Sequence, residues 1–144
     1  MAVNNGNSQN LPKGWMKKSI PPGIQFSHET DTNSCSNIQN NGIDFDKSRV
    51  GLCSMGQGFY AYQNDDEISF DDDAERMILL KSNAEMTGYE VDVEDFAKGD
   101  GDATVATKYK QYESQSDFYT FDREFVFHPN AKQKLKIINV KKLK

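Results

Sequence analysis

At 144 residues, with a formal net charge of −5 and 36% hydrophobic residues, the chain fits a single soluble domain around one core. The negative balance argues against a general nucleic-acid binder, which needs Lys and Arg to displace phosphate counterions. No apolar run approaches the ~20 residues a helix needs to cross a bilayer, and the Asn-rich start lacks a basic-then-apolar signal.

The expected setting is therefore the cytoplasm, or a target cell reached by a specialised secretion route. Acidic residues crowd positions 65–75, while Lys132, Lys134, Lys136, Lys141, Lys142 and Lys144 crowd the end. Both runs read as solvated surface, with an anionic target for the tail as the alternative. Cys35 and Cys53 form no CxxC and lack ligand-spaced histidines, so two reduced thiols and no metal are expected. His28 and His128 are the only histidines available for chemistry.

Along the chain, residues 1–12 read as a loose polar arm, and Pro21-Pro22 interrupts any regular element. Residues 23–28 alternate as a half-buried strand. Thr30 or Thr32 is positioned to cap a helix running to Asn41, with Cys35 and Ile38 facing inward and Gly42 as its stop. A loop over 43–55 leads into the glycine-opened aromatic strand 56–62, and 64–73 reads as an acidic loop. Met77 to Leu80 fits a buried strand or part of a helix. Residues 89–93 alternate as a strand, 98–102 as a turn and 108–122 as a long polar and aromatic loop. Strands at 124–127 and 136–140 close a chain of about six strands and one or two helices, an α+β or mostly β pattern.

Three segments, in order, resemble the motifs of the ADP-ribosyltransferase superfamily, in the His-Tyr-Glu branch of poly(ADP-ribose) polymerases and diphtheria toxin. The first is Phe26-Ser27-His28-Glu29-Thr30, with Gly42-Ile43 after the helix. The second is Gly56-Gln57-Gly58-Phe59-Tyr60, and the third is Glu124-Phe125-Val126-Phe127 followed by Leu135-Lys136-Ile137-Ile138. The likeness spans roughly residues 23–140. It implies a split β-sheet core with one or two short helices, a flexible arm over 1–22 and a catalytic domain over 23–144.

The resemblance also implies roles. NAD⁺ is the substrate, no metal is involved, and the nicotinamide–ribose bond breaks through an oxocarbenium-like state that a fixed negative charge stabilises. Glu124 is the expected acid group. Tyr60, with Tyr62 as the alternative, stacks on nicotinamide, Phe70 covers the other ring face and Ser69 offers a hydroxyl to the carboxamide. His28 meets a ribose hydroxyl of the adenosine half, braced by Thr30, with Gly58 in the binding wall. The backbone of Glu29 takes the amide where the family usually has glycine, a departure that leaves open a module retaining the fold without turnover. Asp122, two residues before Glu124 on an extended strand, orients the acceptor, and the segment 109–123 meets it.

The implied activity is mono-ADP-ribosyl transfer by a toxin or effector to a protein or nucleic-acid acceptor, with an immunity or antitoxin protein as a candidate partner and no membrane. An NAD⁺ glycohydrolase and an unrelated β-rich interaction domain are the alternatives. A phosphotransferase acting on RNA ends fits poorly, since its site calls for several Arg and His, and the arginines here are Arg49, Arg76 and Arg123 alone.

Overall fold

The computed structural model describes residues 11–47, 49 and 51–144. In chain order it contains β1 (Met16–Ile20), β2 (Gln25–Thr30), α1 (Thr32–Asn41), β3 (Phe59–Gln63), β4 (Arg76–Ser82) and β5 (Met86–Glu90). There follow α2 (Val93–Lys98), α3 (Ala103–Tyr112), β6 (Phe118–Phe121), β7 (Glu124–Phe127) and β8 (Leu135–Lys142). The strands form one sheet in the order β1-β5-β6-β7-β3-β2-β4-β8, a mixed α+β arrangement.

Every neighbouring pair is antiparallel except β5 and β6. A parallel pair needs a long crossover, and α2 and α3 supply it. Strand alternation sorts the core by face. Phe26, Phe59, Phe125 and Phe127 pack on one face with Cys35 of α1 and Phe45. Tyr119 and Val126 pack on the other with Trp15, Val105 and Tyr109. At roughly 1.5–3 kcal/mol per large side chain fully buried, these two clusters dominate the favourable side of folding.

Four expectations change. Residues 11–22 are not part of a loose arm: Trp15 is buried and β1 pairs with β5 from Met16↔Glu90 to Ile20↔Met86. The strand MKKSI lies at the sheet edge, where its outward residues stay polar and conceal the period. Residues 1–10 lie outside the described set.

The segment 108–122 is not a loop but the end of α3 followed by β6. Val105, Tyr109 and Tyr112 recur at helical spacing and are buried, so they belong to the core and not to an acceptor surface. The strand expected at 89–93 ends at Glu90, because Asp92 caps α2 through Glu94 N–H. The count rises to eight strands and three α-helices among the described residues.

Other readings hold, apart from the residue that caps α1. The helix ends at Asn41, with Gly42 at φ 88° returning its N–H to Ile38 C=O at 2.8 Å. Its N-cap is Asp31 instead of a threonine: the carboxylate accepts from Ser34 N–H at 2.7 Å. Met77 to Leu80 is strand, fully enclosed between β2 and β8. Cys35 is buried, Cys53 is exposed, and both are free. No helix among the described residues is long and apolar enough to cross a membrane.

The sheet has one sparse seam. β2 and β3 share only Phe26↔Gln63 and Ser27↔Tyr62, whereas β2 and β4 pair over six residues.

Candidate functional site

The β2–β3 ladder stops at Ser27 and Tyr62, and a groove lined by His28 and Tyr60 lies beyond that point. His28 substitutes for the missing ladder. Its Nδ1 lies 2.5 Å from the Tyr60 carbonyl oxygen, and because a carbonyl only accepts, Nδ1 carries the proton. Burial holds the imidazole pKa below its ordinary value, with the Tyr60 hydrogen bond opposing. His28 is thus neutral at pH 7, with Nε2 as an acceptor. Its ring packs on Phe59 at 4.4 Å between centroids.

The groove has two lobes. The larger, about 430 Å³, is walled by Thr30, Ser34, Asn37 and Ile38 on one side and by Asp44, Lys47, Gly58 and Phe59 on the other. The smaller, about 260 Å³, is walled by Ser27, Glu29, Tyr62, Phe70, Asp71 and Glu124. His28, Arg49 and Tyr60 line both, so the two lobes are continuous. The larger lies within the roughly 300–1,000 Å³ typical of small-molecule sites.

Glu124 enters because β7 pairs with β3 in a register that sets it directly opposite Tyr62. Alternation on β3 then carries Tyr60 and Tyr62 to the same face. Glu124 is only 8% exposed, and Arg49 meets its Oε2 at 2.5 Å. The same guanidinium lies 4.5 Å from the centre of the Tyr60 ring. A carboxylate and an aromatic face therefore form a corner that already holds a planar cation.

Tyr60 is fixed at its other end as well. Its hydroxyl accepts from Met55 N–H at 2.8 Å and donates to Gly56 C=O at 2.5 Å. Burial raises the phenol pKa well above its ordinary value. Gly58 of the Gly-x-Gly run is required by packing: a Cβ there would lie 2.5 Å from Phe127 C=O, at a φ of 151°. The same residue donates its N–H to Lys47 C=O at 2.9 Å.

Of the residues expected from sequence, His28, Glu29, Thr30, Gly58, Tyr60, Tyr62, Phe70 and Glu124 all line the groove. Phe70 stands against Tyr62 with 4.8 Å between ring centres. Ser69 does not line either lobe; its hydroxyl donates to Glu29 Oε2 at 2.7 Å.

Asp122 is a correction. β6 and β7 join through the two-residue turn Asp122-Arg123, with Asp122 at φ 58°. That left-handed residue breaks the alternation, so Asp122 lacks the extended-strand relation to Glu124 and lines neither lobe.

Arg49 and Lys47 were missed. They come from a loop with no periodicity, and only the register of β3 against β7 brings that loop to Glu124. The scarcity of arginine was the one available signal. No protein-family model, curated protein or solved structure matches the chain.

Proposed function

We propose that this chain is an ADP-ribosyltransferase of the His-Tyr-Glu type, cleaving NAD⁺ at the nicotinamide–ribose bond and passing ADP-ribose to an acceptor. The observation that carries this reading is the corner between Tyr60 and Glu124, occupied by the planar cation of Arg49. A nicotinamide ring in NAD⁺ is also planar and cationic. The sparse β2–β3 seam supports the split-sheet core expected of the family.

In this reading the pyridinium replaces the guanidinium against the same carboxylate. Glu124 therefore keeps a compensating charge before and after substrate enters, which matters for a carboxylate this buried. As nicotinamide leaves neutral, positive charge moves to the ribose carbon, and Glu124 stabilises it there. His28 Nε2 accepts from a hydroxyl of the adenosine ribose in the larger lobe, and Lys47 faces the diphosphate.

A second reading, NAD⁺ glycohydrolysis, has its own support. Tyr109, Tyr112 and residues 116–120 are buried in the core, and Asp122 lines neither lobe, so neither presents an acceptor group to the groove. The carboxylate of Glu29 lines the smaller lobe and is engaged there by the 69–71 loop.

Labelled NAD⁺ incubated with the protein and a cell lysate tests the reading. Nicotinamide release above buffer is expected, with label on protein or nucleic acid for transfer and free ADP-ribose for hydrolysis. Release at the buffer rate would end both.

Tyr60 gives a finer expectation. Tyr60→Ala removes the stacking face and should lower NAD⁺ affinity up to about tenfold, given roughly 0.5–1.5 kcal/mol per aromatic pair. Tyr60→Phe keeps the ring and should bind nearly as well. It strands Met55 N–H, however, and should lose about 1–3 kcal/mol of stability. Titration and urea unfolding measure the two effects separately. Equal affinity losses would count against stacking.

A further inference from the structure

We infer that Glu29 is a positioning residue whose carboxylate holds the 69–71 loop so that Phe70 closes one side of a flat slot in the smaller lobe. The inference rests on the proposed NAD⁺ reading for its ligand, but its structural half stands alone. Three consecutive residues donate to this one side chain. Oε1 accepts from Phe70 N–H at 2.5 Å, and Oε2 accepts from Ser69 Oγ at 2.7 Å and Asp71 N–H at 3.2 Å.

The loop is pinned a second time through Asn64, which directly follows β3 and bonds to β2. Asn64, fully buried, accepts from Ile68 N–H at 3.0 Å and donates to Ile68 C=O at 2.8 Å. Asn64 also donates to Ser27 Oγ at 2.9 Å. Ser27 and Glu29 share one face of β2, two residues apart, so that strand holds residues 69–71 directly and Ile68 through Asn64.

The result is a fixed ring position. Phe70 is 44% exposed and has little core to hold it, yet it stands beside Tyr62, with Arg123 on its ring at 5.7 Å. An exposed aromatic held by its backbone serves as a wall. Glycine at position 29 would remove all three bonds to residues 69–71 and leave the loop held only at Ile68.

Glu29→Ala, Glu29→Gln and Phe70→Ala, titrated with NAD⁺ and with ADP-ribose, test the role. ADP-ribose lacks the ring that the slot receives. Glu29→Ala and Phe70→Ala should each weaken NAD⁺ about tenfold, leave ADP-ribose within about twofold, and show little further loss when combined. Glu29→Gln keeps one acceptor oxygen without charge and should retain most of the affinity.

Equal losses for both ligands, or a Gln variant as poor as Ala, would overturn the positioning role. Amide exchange at Phe70 and Asp71 should accelerate at least tenfold in Glu29→Ala, whatever the ligand; unchanged exchange would also overturn it. Wild-type protein that binds neither ligand while showing this exchange change would remove the NAD⁺ reading alone.

Discussion

Glu124→Gln is expected to lower nicotinamide release by a factor of about 10²–10³, the usual effect of removing one preorganised electrostatic group from a reacting centre. KM should rise only a few-fold. The carboxylate faces a cation in the ground state, but that charge is spread over a ring; in the transition state it concentrates on the sugar carbon. The loss therefore falls mainly on kcat, which marks an interaction strengthened in the transition state.

The fold should survive the change. Gln presents one acceptor oxygen to Arg49, whose bond to Glu124 is the one ion pair in the groove among the described residues. The backbone of β7 keeps its register with β3 and β6, and Thr120 Oγ1 still donates to the position 124 carbonyl, now at 2.7 Å. Unchanged circular dichroism with a collapsed kcat is the expected pair of results. Retained turnover would remove Glu124 from the chemistry and with it the assignment.

How much of this was legible in the residues varies by position. Phe26 to Thr30 and Glu124 to Phe127 lie in strands buried on one or both faces, where alternation and aromatic content identify the element directly. The α1 stop was readable because Gly42 adopts a backbone conformation that favours glycine.

The errors have equally local causes. α3 begins with Ala103 to Thr107, where Val105 is the one large apolar residue, so its tyrosines read as an isolated aromatic loop. The alternation Tyr89, Val91, Val93 continued past a real boundary because Asp92 is also a capping residue.

The site was legible in part for the same reason. His28 and Tyr60 lie within strands and Glu124 opens one, and short motifs mark such places. Arg49 stands in an irregular loop, and its meeting with Glu124 spans 75 positions in the chain. No local pattern encodes that contact; it comes from sheet register. Asp122 failed because a two-residue hairpin turn and a continuous strand present the same side-chain spacing until the left-handed residue is seen.

The second histidine governs acid stability. His128 directly succeeds the strand that Glu124 begins, and its fully buried ring meets Tyr119 edge-on at 4.4 Å. Nδ1 is engaged by Ser116, while Nε2 has no hydrogen-bond partner among the described residues. Burial pushes the imidazole pKa down to about 4, against 6.5 for an ordinary histidine. Between those values the unfolded chain takes up a proton that the folded chain refuses, so stability falls as pH falls from 6.5 to about 4 and the loss is complete below that.

A gap of roughly 2.5 pH units at about 1.4 kcal/mol each amounts to about 3–4 kcal/mol, most of it lost by pH 4. Urea unfolding of wild type and His128→Phe between pH 7 and 4 should show the wild type losing about that much more than the variant. The phenyl ring retains the Tyr119 contact, and its missing bond to Ser116 lowers stability by a similar amount at every pH. Carboxylates and His28, whose pKa burial also lowers, titrate in both proteins and cancel in the difference. A wild-type-minus-variant difference that stays flat across this range would mean that His128 is charged inside the fold, which requires Nε2–H to find an acceptor that the described residues do not offer it.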